Sequence, residues 1–153
     1  MCETFFEVVS PSPMAFPMTQ GRNTPPLNST GVHGKVVAVS PWEDKACGLI
    51  DNAESLDGNI VLVPDGHCMY NHKILNVQAA GAVAVIIVHY EDNVVYPGMT
   101  GSSMGLTIPG VLIGLSNGTM LKNLLDQGET VMVNLTDSNK RDSPTTNLLR
   151  GSP

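Results

Sequence analysis

Two continuous apolar segments, residues 59–63 and 82–89, lie on either side of one amphipathic segment. Neither alternates between apolar and polar residues, which is typical of strands that are buried on both faces. Between them, Asn71 is positioned to cap a helix that ends near Ala80, and Gly81 is the residue type that most often follows a helix. A strand, a helix and a strand within about 30 residues predict a βαβ crossover with parallel strands and a right-handed connection.

The remaining sequence repeats this pattern more loosely. A helix capped by Ser116 or Asn117 is predicted to end at Gly128. Residues 11–34, which hold five prolines, and residues 42–57 have no helical period and are predicted to be mostly irregular, with short edge pairings as an alternative within residues 11–34. Further strands are predicted at residues 4–9, 35–39, 111–113 and 129–135. The prediction is therefore a mixed α/β (α+β) fold, a curved sheet or open β-barrel of about six or seven strands that contains the βαβ crossover and is flanked by two helices.

Length and composition fit one globular domain. The chain has 153 residues, of which 42% are hydrophobic and 14% are charged. Residues 1–136 are predicted to form the domain, and the polar residues 137–153 are predicted to form a tail or linker. Glu3 and Glu7 stand where a signal peptide has a basic flank, so no signal peptide is predicted. A secreted chain without one is expected to be a mature fragment or an excised domain.

Charge and hydropathy exclude several classes of partner. The chain has 14 acidic and 8 basic side chains, a formal net charge of −6, and its longest basic run is Lys140-Arg141. Nucleic acid and anionic lipid surfaces are bound by clusters of Lys and Arg, so neither is an expected partner. The longest apolar run, residues 79–88, is about half of the ~20 residues that a membrane helix requires. Direct membrane insertion of this segment is therefore not expected.

Three cysteines and three N-glycosylation sequons bear on the cellular compartment. The cysteines are Cys2, Cys47 and Cys68, and an odd count leaves one unpaired in a monomer. Pairing of Cys47 with Cys68 would close a loop of about 20 residues, which the chain-entropy model values at about 3 kcal/mol. The sequons begin at Asn28, Asn117 and Asn134. The first is the favoured glycosylation site, because the other two fall in a predicted helix cap and a predicted strand. Both features favour a secreted or lumenal protein of the secretory or endolysosomal pathway.

The segment Gly101-Ser102-Ser103-Met104-Gly105 matches the G-x-S-x-G string of serine hydrolases. That motif presents its serine at a turn between a strand and a helix. Here a polar loop precedes the segment, and Ile108-Pro109 follows it closely, which is incompatible with a helix at that point. A flexible loop is therefore preferred over a catalytic Ser103.

Other polar clusters have simple structural explanations as well as functional ones. His67, Cys68 and His72 contain metal-ligating groups, but no second thiolate or carboxylate completes the set, and a disulfide would consume Cys68. The carboxylate pairs Glu43-Asp44 and Glu91-Asp92 are predicted to be solvated. Aromatic and methionine side chains near the second pair line either a binding groove or a packed loop, and these are Tyr90, Tyr96 and Met99.

The stretch from Cys47 to Leu135 resembles the protease-associated domain family. The resemblance is carried by the order of several short motifs: Cys47, Gly58-Asn59 before the first apolar strand, Asp65-Gly66-His67-Cys68-Met69-Tyr70, Lys73, Gln78-Ala79-Ala80-Gly81-Ala82, Ile108-Pro109-Gly110 and Gly118-Thr119. Two positions depart from the family pattern: Asp65 stands where the pattern has Arg, and Asn59 where it has Lys. Because Asp65 would repel a peptide carboxylate that an Arg would attract, ligand preference is not transferred.

The resemblance implies a non-catalytic module that recognises a protein or peptide, acting as a lid, a substrate selector or a cargo-binding domain. No enzymatic activity, cofactor or metal is expected, and the expected partner is a protein or peptide ligand, including an adjacent protease domain. The loops 65–70 and 91–107 are expected to border the recognition groove, where open α/β sheets bind ligands. The candidate binding residues are Asp65, Gly66, His67, Met69, Tyr70, Tyr90, Tyr96 and Met99. The alternatives are a structural spacer that positions a neighbouring catalytic domain and, more remotely, a serine hydrolase that uses the 101–105 loop.

Overall fold

The computed structural model of the chain describes residues 4–21, 24–27, 30–93 and 105–137. Within these ranges the chain forms seven strands and three α-helices. The strands are β1 (Thr4–Ser10), β2 (Met14–Gln20), β3 (Val32–Ala38), β4 (Ile60–Pro64), β5 (Ala84–Val88), β6 (Gly110–Ile113) and β7 (Met132–Asp137). The helices are α1 (Ala53–Leu56), α2 (Tyr70–Ala79) and α3 (Leu115–Asp126), and a single 3₁₀ turn occupies Trp42–Asp44.

The seven strands form a closed barrel in the order β1-β2-β6-β5-β4-β3-β7. The pairs β3-β4, β4-β5 and β5-β6 are parallel, and the remaining pairs are antiparallel. The predicted βαβ crossover is confirmed, because α2 connects the parallel neighbours β4 and β5. The predicted mixed α/β fold is also confirmed, and the barrel closes because β7 pairs with both β1 and β3. No helix in the described ranges is long and apolar enough to cross a membrane.

The apolar runs of β4 and β5 are explained by two separate cores. Ile60 and Leu62 belong to a core that contains side chains from all seven strands and fills the barrel. Val61 and Val63 point the other way, into a second core between the sheet and helices α1 and α2. Every one of these side chains is fully buried, and burial of each stabilises the fold by roughly 1.5–3 kcal/mol. A strand that contributes to two cores has no polar face, so its sequence does not alternate.

Helix α3 packs against the barrel at very short range. Leu121 is fully buried in the core inside the barrel. Gly118 allows this approach: a β-carbon added to it would lie only 2.2 Å from Cγ1 of Val88. The helix axis therefore lies as close to β5 as a glycine permits.

Strand β2 corrects one expectation. Residues 11–34 were predicted to be irregular apart from short edge pairings, but Met14–Gln20 form a seven-residue strand that pairs with β1 and, at its end, with β6. Phe16 and Met18 are buried while Pro17 is exposed, so the segment alternates as a strand does. The density of prolines around it concealed this alternation.

The starts of the helices also differ from those predicted. Helix α2 begins at Tyr70 instead of after Asn71, and α3 begins at Leu115, before the predicted caps Ser116 and Asn117. The cap of α3 comes from another loop: the backbone N–H of Ser116 donates to Asp92 Oδ1 at 2.6 Å and its hydroxyl donates to Oδ2 at 2.8 Å. These hydrogen bonds lower the pKa of Asp92. Because the capping residue is distant in sequence, the residues around the start of α3 do not indicate where the helix begins.

The close packing of α3 predicts the effect of one substitution. Gly118→Ala should destabilise the protein by about 1–3 kcal/mol, because the new methyl group overlaps Val88 and outweighs the gain in helix propensity. Urea denaturation measures the change. The control is Gly34→Ala in β3, where an added β-carbon meets Ile60 at an ordinary 3.5 Å. Equal stabilities of the two variants would contradict this account of the packing.

Candidate functional site

The carboxyl ends of β4, β5 and β6 meet at one end of the barrel, and an open groove of about 290 Å³ lies beside them. In a parallel sheet this edge gathers the loops that follow each strand, so it is the usual place for a ligand site. The groove is also bordered by the 3₁₀ turn and by the first half of α3. Its lining residues are Trp42, Lys45, Pro64, Asp65, Val88, His89, Tyr90, Leu115, Gly118, Thr119 and Lys122.

Asp65, directly after β4, accepts hydrogen bonds from three groups. The backbone N–H of Gly66 donates to Oδ1 at 2.7 Å, and the hydroxyl of Tyr70 donates to Oδ2 at 2.8 Å. Nδ1 of His89 lies 3.0 Å from the same Oδ2. Because an ionised carboxylate can only accept, this nitrogen carries the hydrogen. The negative charge of Asp65 is therefore engaged within the protein.

Tyr70 supports Asp65 from the core outside the barrel. Its ring is buried with the apolar face of α2. Burial and, next, the hydrogen bond to the Asp65 carboxylate raise the pKa of Tyr70. The hydroxyl thus stays protonated and remains a donor to Asp65 throughout the physiological range.

Lys73 is fully buried, although lysine is among the residues least often found inside proteins. Its Nζ donates to the carbonyl oxygen of Lys45 at 2.8 Å and to that of Gly66 at 2.5 Å, and it lies 3.7 Å from Sγ of Cys47. Burial lowers the pKa of Lys73 to about 8, against an opposing effect of the Asp65 charge. A single ammonium group thus joins the two loops that border the groove.

Two more side chains of α2 hold the segment that follows the 3₁₀ turn. Nδ2 of Asn76 donates to the carbonyl oxygen of Ala46 at 2.8 Å, and Nε2 of His72 lies 3.2 Å from that of Cys47. Lys45 and Ala46 both adopt left-handed backbone conformations, with φ values of 58° and 62°. Such φ values are uncommon outside glycine, so the helix fixes a conformation that the segment would not adopt by itself.

The predicted disulfide between Cys47 and Cys68 is confirmed, with a Cα–Cα distance of 5.9 Å. It joins the same two loops that Lys73 joins. Because the sulfur of Cys68 is bonded, it supplies no thiolate to a metal. In the part of the chain that the structure describes, no group of three His, Cys, Asp or Glu side chains could hold a metal ion.

The structure places only some of the predicted binding residues in the groove lining. Asp65 and Tyr90 line the groove, and Gly66 lies below it as an acceptor for Lys73. His67 and Met69 are exposed on the disulfide loop but do not line the groove, and Tyr70 is buried. Tyr96, Met99 and Ser103 lie outside the described residues, as does the sequon at Asn28. Of the other sequons, Asn117 lies in the first turn of α3, and Asn134 lies in β7 with its Oδ1 2.5 Å from Nδ1 of His33.

Sequence reasoning missed several groove residues. His89 directly follows β5, and Leu115 lies two residues after the end of β6, so the rule that ligands bind at the carboxyl ends of parallel strands could have identified them. Trp42 and Lys45 come from a segment without periodicity, and Lys122 lies in the predicted helix but was not among the candidate binding residues. For these three the linear sequence contains no comparable signal.

His89 has one feature of an acid–base catalyst, because its Nδ1 faces a carboxylate. Its ring lies against that of Tyr90, with centroids 4.2 Å apart. Within the described ranges, no hydroxyl or thiol is hydrogen-bonded to its other nitrogen, Nε2. The arrangement therefore orients an imidazole at a groove wall, and none of the described residues places a nucleophile beside it.

The sequence of residues 32–121, which contains the 3₁₀ turn, strands β3 to β6, helices α1 and α2 and half of α3, matches the family model of the PA domain. The chain belongs to the PA domain family. Its PA domain is 30% identical over 122 residues to the receptor homology region, transmembrane domain- and RING domain-containing protein 6 of Arabidopsis thaliana, a match that covers 76% of this chain and 37% of that protein. It is 28% identical over 134 residues to a PRADC1-like protein of Drosophila melanogaster, covering 82% of this chain and 67% of that one.

The fold of this PA domain also occurs within a larger solved structure. A peptidase M28 precursor from Shewanella amazonensis SB2B superposes with a TM-score of 0.67 at 18% sequence identity, over 88% of this chain and 34% of that one. At this identity the likeness concerns the fold alone. The PA domain of this chain thus spans about a third of the length of the first relative and of this peptidase precursor.

The hydrogen bond between Tyr70 and Asp65 predicts a loss of stability on removal of one hydroxyl. Tyr70→Phe should destabilise the PA domain by about 2 kcal/mol, because it removes a hydrogen bond to a charged group and leaves the carboxylate with one donor fewer. Urea denaturation measures the change. The matched control, Tyr90→Phe, makes the same change at an exposed ring and should stay within about 0.5 kcal/mol of the parent protein. A similar small effect of Tyr70→Phe would contradict a supporting role for this hydroxyl.

The buried ammonium predicts an unusual titration. The ¹³Cε resonance of Lys73, assigned by its absence from a Lys73→Met variant, should titrate with a midpoint near pH 8, where lysine ordinarily titrates near 10.5. Between these values the unfolded chain binds this proton more tightly than the folded one, so the contribution of this group to folding stability rises with pH over that interval. A midpoint at or above 10.5 would show that the ammonium is not desolvated.

Proposed function

We propose that this PA domain is a non-catalytic module that recognises a protein or peptide in the groove beside the carboxyl ends of β4, β5 and β6. The observation that carries the proposal is the combination of exposed apolar side chains with fixed polar groups in one concave surface. Tyr90 is 66% exposed and Leu115 is 43% exposed, and both lie beside the ordered Asp65–His89 pair. Aromatic and aliphatic anchors flanked by oriented polar groups are typical of recognition sites.

The rigidity of the groove supports recognition by a preformed surface. The disulfide and the Lys73 hydrogen bonds fix the two bordering loops independently of any ligand. A surface that is ordered before binding loses less conformational entropy when the ligand arrives. A groove of this size accommodates a few side chains, which fits an extended peptide or a protruding loop better than a flat protein surface.

The chemistry of the described groove residues supports a non-catalytic role. His89 is oriented by Asp65, and the described ranges place neither a nucleophile next to it nor a metal-binding cluster. Hydrolysis requires a nucleophile or an activated water together with an oxyanion-stabilising group. In this proposal the domain acts as a lid, a substrate selector or a cargo-binding element, and an adjacent protease domain is one possible kind of partner.

The proposed setting is secreted or lumenal, in the secretory or endolysosomal pathway. The Cys47–Cys68 disulfide supports it, because disulfides persist in oxidising compartments and are rare in the cytosol. The sequons at Asn28, Asn117 and Asn134 are consistent with this setting, and the proposal includes N-glycosylation of at least one of them.

Selection of random peptides on the oxidised domain tests the proposal. The expected result is a family of binders whose affinity falls at least tenfold in Tyr90→Ala, as for the loss of an aromatic anchor. Leu49→Ala, at an 86% exposed side chain that does not line the groove, should bind as the parent does. Met69→Ala tests the disulfide loop, where Met69 is 57% exposed. Binders lost in Met69→Ala alone would move the site to that loop, and an absence of binders would favour the structural spacer.

A further inference from the structure

The two sulfur atoms of the Cys47–Cys68 disulfide have different surroundings. Sγ of Cys47 lies 3.7 Å from Nζ of Lys73, and that lysine is fully buried. No cation of the described ranges is in hydrogen-bonding contact with Sγ of Cys68, and this half-buried residue stands between two exposed ones, His67 and Met69. One sulfur therefore faces a buried ammonium, whereas the other belongs to an exposed loop.

The ammonium of Lys73 has three N–H groups and two strong acceptors. These acceptors are the carbonyl oxygens of Lys45, at 2.8 Å, and of Gly66, at 2.5 Å. The third group within reach is Sγ of Cys47, and a disulfide sulfur accepts hydrogen bonds only weakly. A thiolate at the same place would accept from the ammonium as a charged group, and such a hydrogen bond is roughly twice as strong as a neutral one. The ammonium is therefore better satisfied when Cys47 is reduced and ionised.

The same two carbonyl groups bear on the protonation of a reduced Cys47. Their oxygens, at Lys45 and Gly66, lie 3.6 Å and 3.7 Å from Sγ, so a neutral thiol could donate to either of them. Both oxygens already accept from Lys73, however, and a thiol is a weak donor. A full positive charge in contact with the sulfur outweighs two carbonyl dipoles that the same charge has engaged, so the thiolate is the favoured form.

Other titratable groups near this contact act in both directions. Two are carboxylates and two are basic, and they are Asp44, Asp65, Lys45 and His72. The carboxylates oppose a thiolate, and Lys45 favours one. His72 is held by the backbone, with Nε2 3.2 Å from the carbonyl oxygen of Cys47. Because these influences partly cancel and Lys73 alone among the described cations contacts the sulfur, Lys73 is the deciding charge.

We infer that the Cys47–Cys68 disulfide is a reversible redox site, in which a dithiol reductant attacks Cys68 and Cys47 departs as a thiolate held by Lys73. Thiol–disulfide exchange is faster when the leaving thiol is more acidic, and a neighbouring lysine ammonium makes a cysteine more acidic. Attack at the other sulfur would release Cys68, for which the described residues provide no such cation. The inference goes beyond the proposed function and does not depend on it, since neither cysteine lines the groove.

The exchange balances in two steps. A thiolate of the reductant attacks Sγ of Cys68, the bond between the two protein sulfurs breaks, and its electron pair leaves on Sγ of Cys47. The second thiol of the reductant then loses its proton and attacks the reductant sulfur of the mixed disulfide, which releases Cys68 to take up a proton. The dithiol becomes a disulfide, and two electrons pass to the protein. Because Cys47 stays ionised, the other thiol proton of the reductant goes to solvent.

The reduced protein retains links between the loops that the disulfide joins. The hydrogen bonds of Lys73 to Lys45 and Gly66 connect the same two loops. Nδ2 of Asn76 also holds the carbonyl oxygen of Ala46, beside Cys47, at 2.8 Å. Reduction therefore removes one of several links, and the two sulfurs stay close enough to be reoxidised.

Trapping of the mixed disulfide tests which sulfur is attacked. The oxidised Cys2→Ser protein, which has no other free cysteine, is treated briefly with glutathione, quenched with acid and blocked with N-ethylmaleimide. Tandem mass spectrometry should locate glutathione on Cys68 and the blocking group on Cys47, in a ratio of about ten to one. Equal labelling, or an excess of glutathione on Cys47, would overturn the assignment. A disulfide that resists dithiothreitol while the protein is folded would overturn the redox role itself.

A matched pair of lysine variants tests the role of the ammonium. Lys73→Met should slow reduction by dithiothreitol about tenfold, because the leaving thiolate loses its cation. Lys35→Met, at an exposed lysine of β3, should react as the parent does. Amide spectra verify the fold of each variant. Reduction of Lys73→Met at the parent rate would contradict the inference.

A second measurement needs only the parent protein, so it holds even if Lys73→Met fails to fold. In the reduced protein, the rate of alkylation by iodoacetamide is followed against pH at each cysteine. Half-maximal reaction of Cys47 should occur about one pH unit or more below that of Cys68, as expected for a thiol beside an ammonium. A purely structural lysine would not separate the two profiles. Coincident profiles, or a lower midpoint at Cys68, would overturn the assignment of Cys47 as the leaving thiolate.

Discussion

The buried ammonium of Lys73 is the interaction on which the groove depends. Removing a charge from water costs several kcal/mol unless hydrogen bonds compensate for the lost hydration. Here the compensation comes from backbone carbonyl groups of two different loops, at Lys45 and Gly66. The ammonium is therefore stable only when both loops are in place. Since the Cys47–Cys68 disulfide holds the same two loops together, it supports the arrangement that the cation requires.

The barrel gives this arrangement a rigid base. Strands β4 and β5 are packed on both faces, so the loops that follow them leave the sheet from fixed points. Helix α3 adds the other wall of the groove, and the absence of a side chain at Gly118 determines how near that wall comes to β5. Asp92 then links the loop after β5 to the start of α3. The groove is thus bounded by elements that are each attached to the parallel part of the sheet, which explains how irregular segments can form a defined surface.

The sequence predicts the parts of the molecule in which local pattern and tertiary environment agree. The βαβ unit is one, because strands in two cores must be continuously apolar, and Gly81 has the positive φ that a residue after a helix needs. Strand β2 was missed because the prolines around it resemble a loop, although Phe16 and Met18 alternate with exposed neighbours. Most of the groove wall was missed for a different reason. Lys122 is far in sequence from Trp42 and Lys45, and only the folded chain brings them together.

Asp65 illustrates how a reversed charge can be accommodated without a ligand. The family pattern has an arginine at this position, and the sequence alone suggests a groove that repels carboxylates. In the structure, the carboxylate of Asp65 accepts hydrogen bonds from the side chains of Tyr70 and His89. The carboxylate thereby orients the imidazole of His89 in the groove lining. The carboxylate keeps its negative charge, so the groove lining contains both Asp65 and the cations Lys45 and Lys122. The electrostatic character of the groove therefore depends on position 65 and on the segment around Lys45 together.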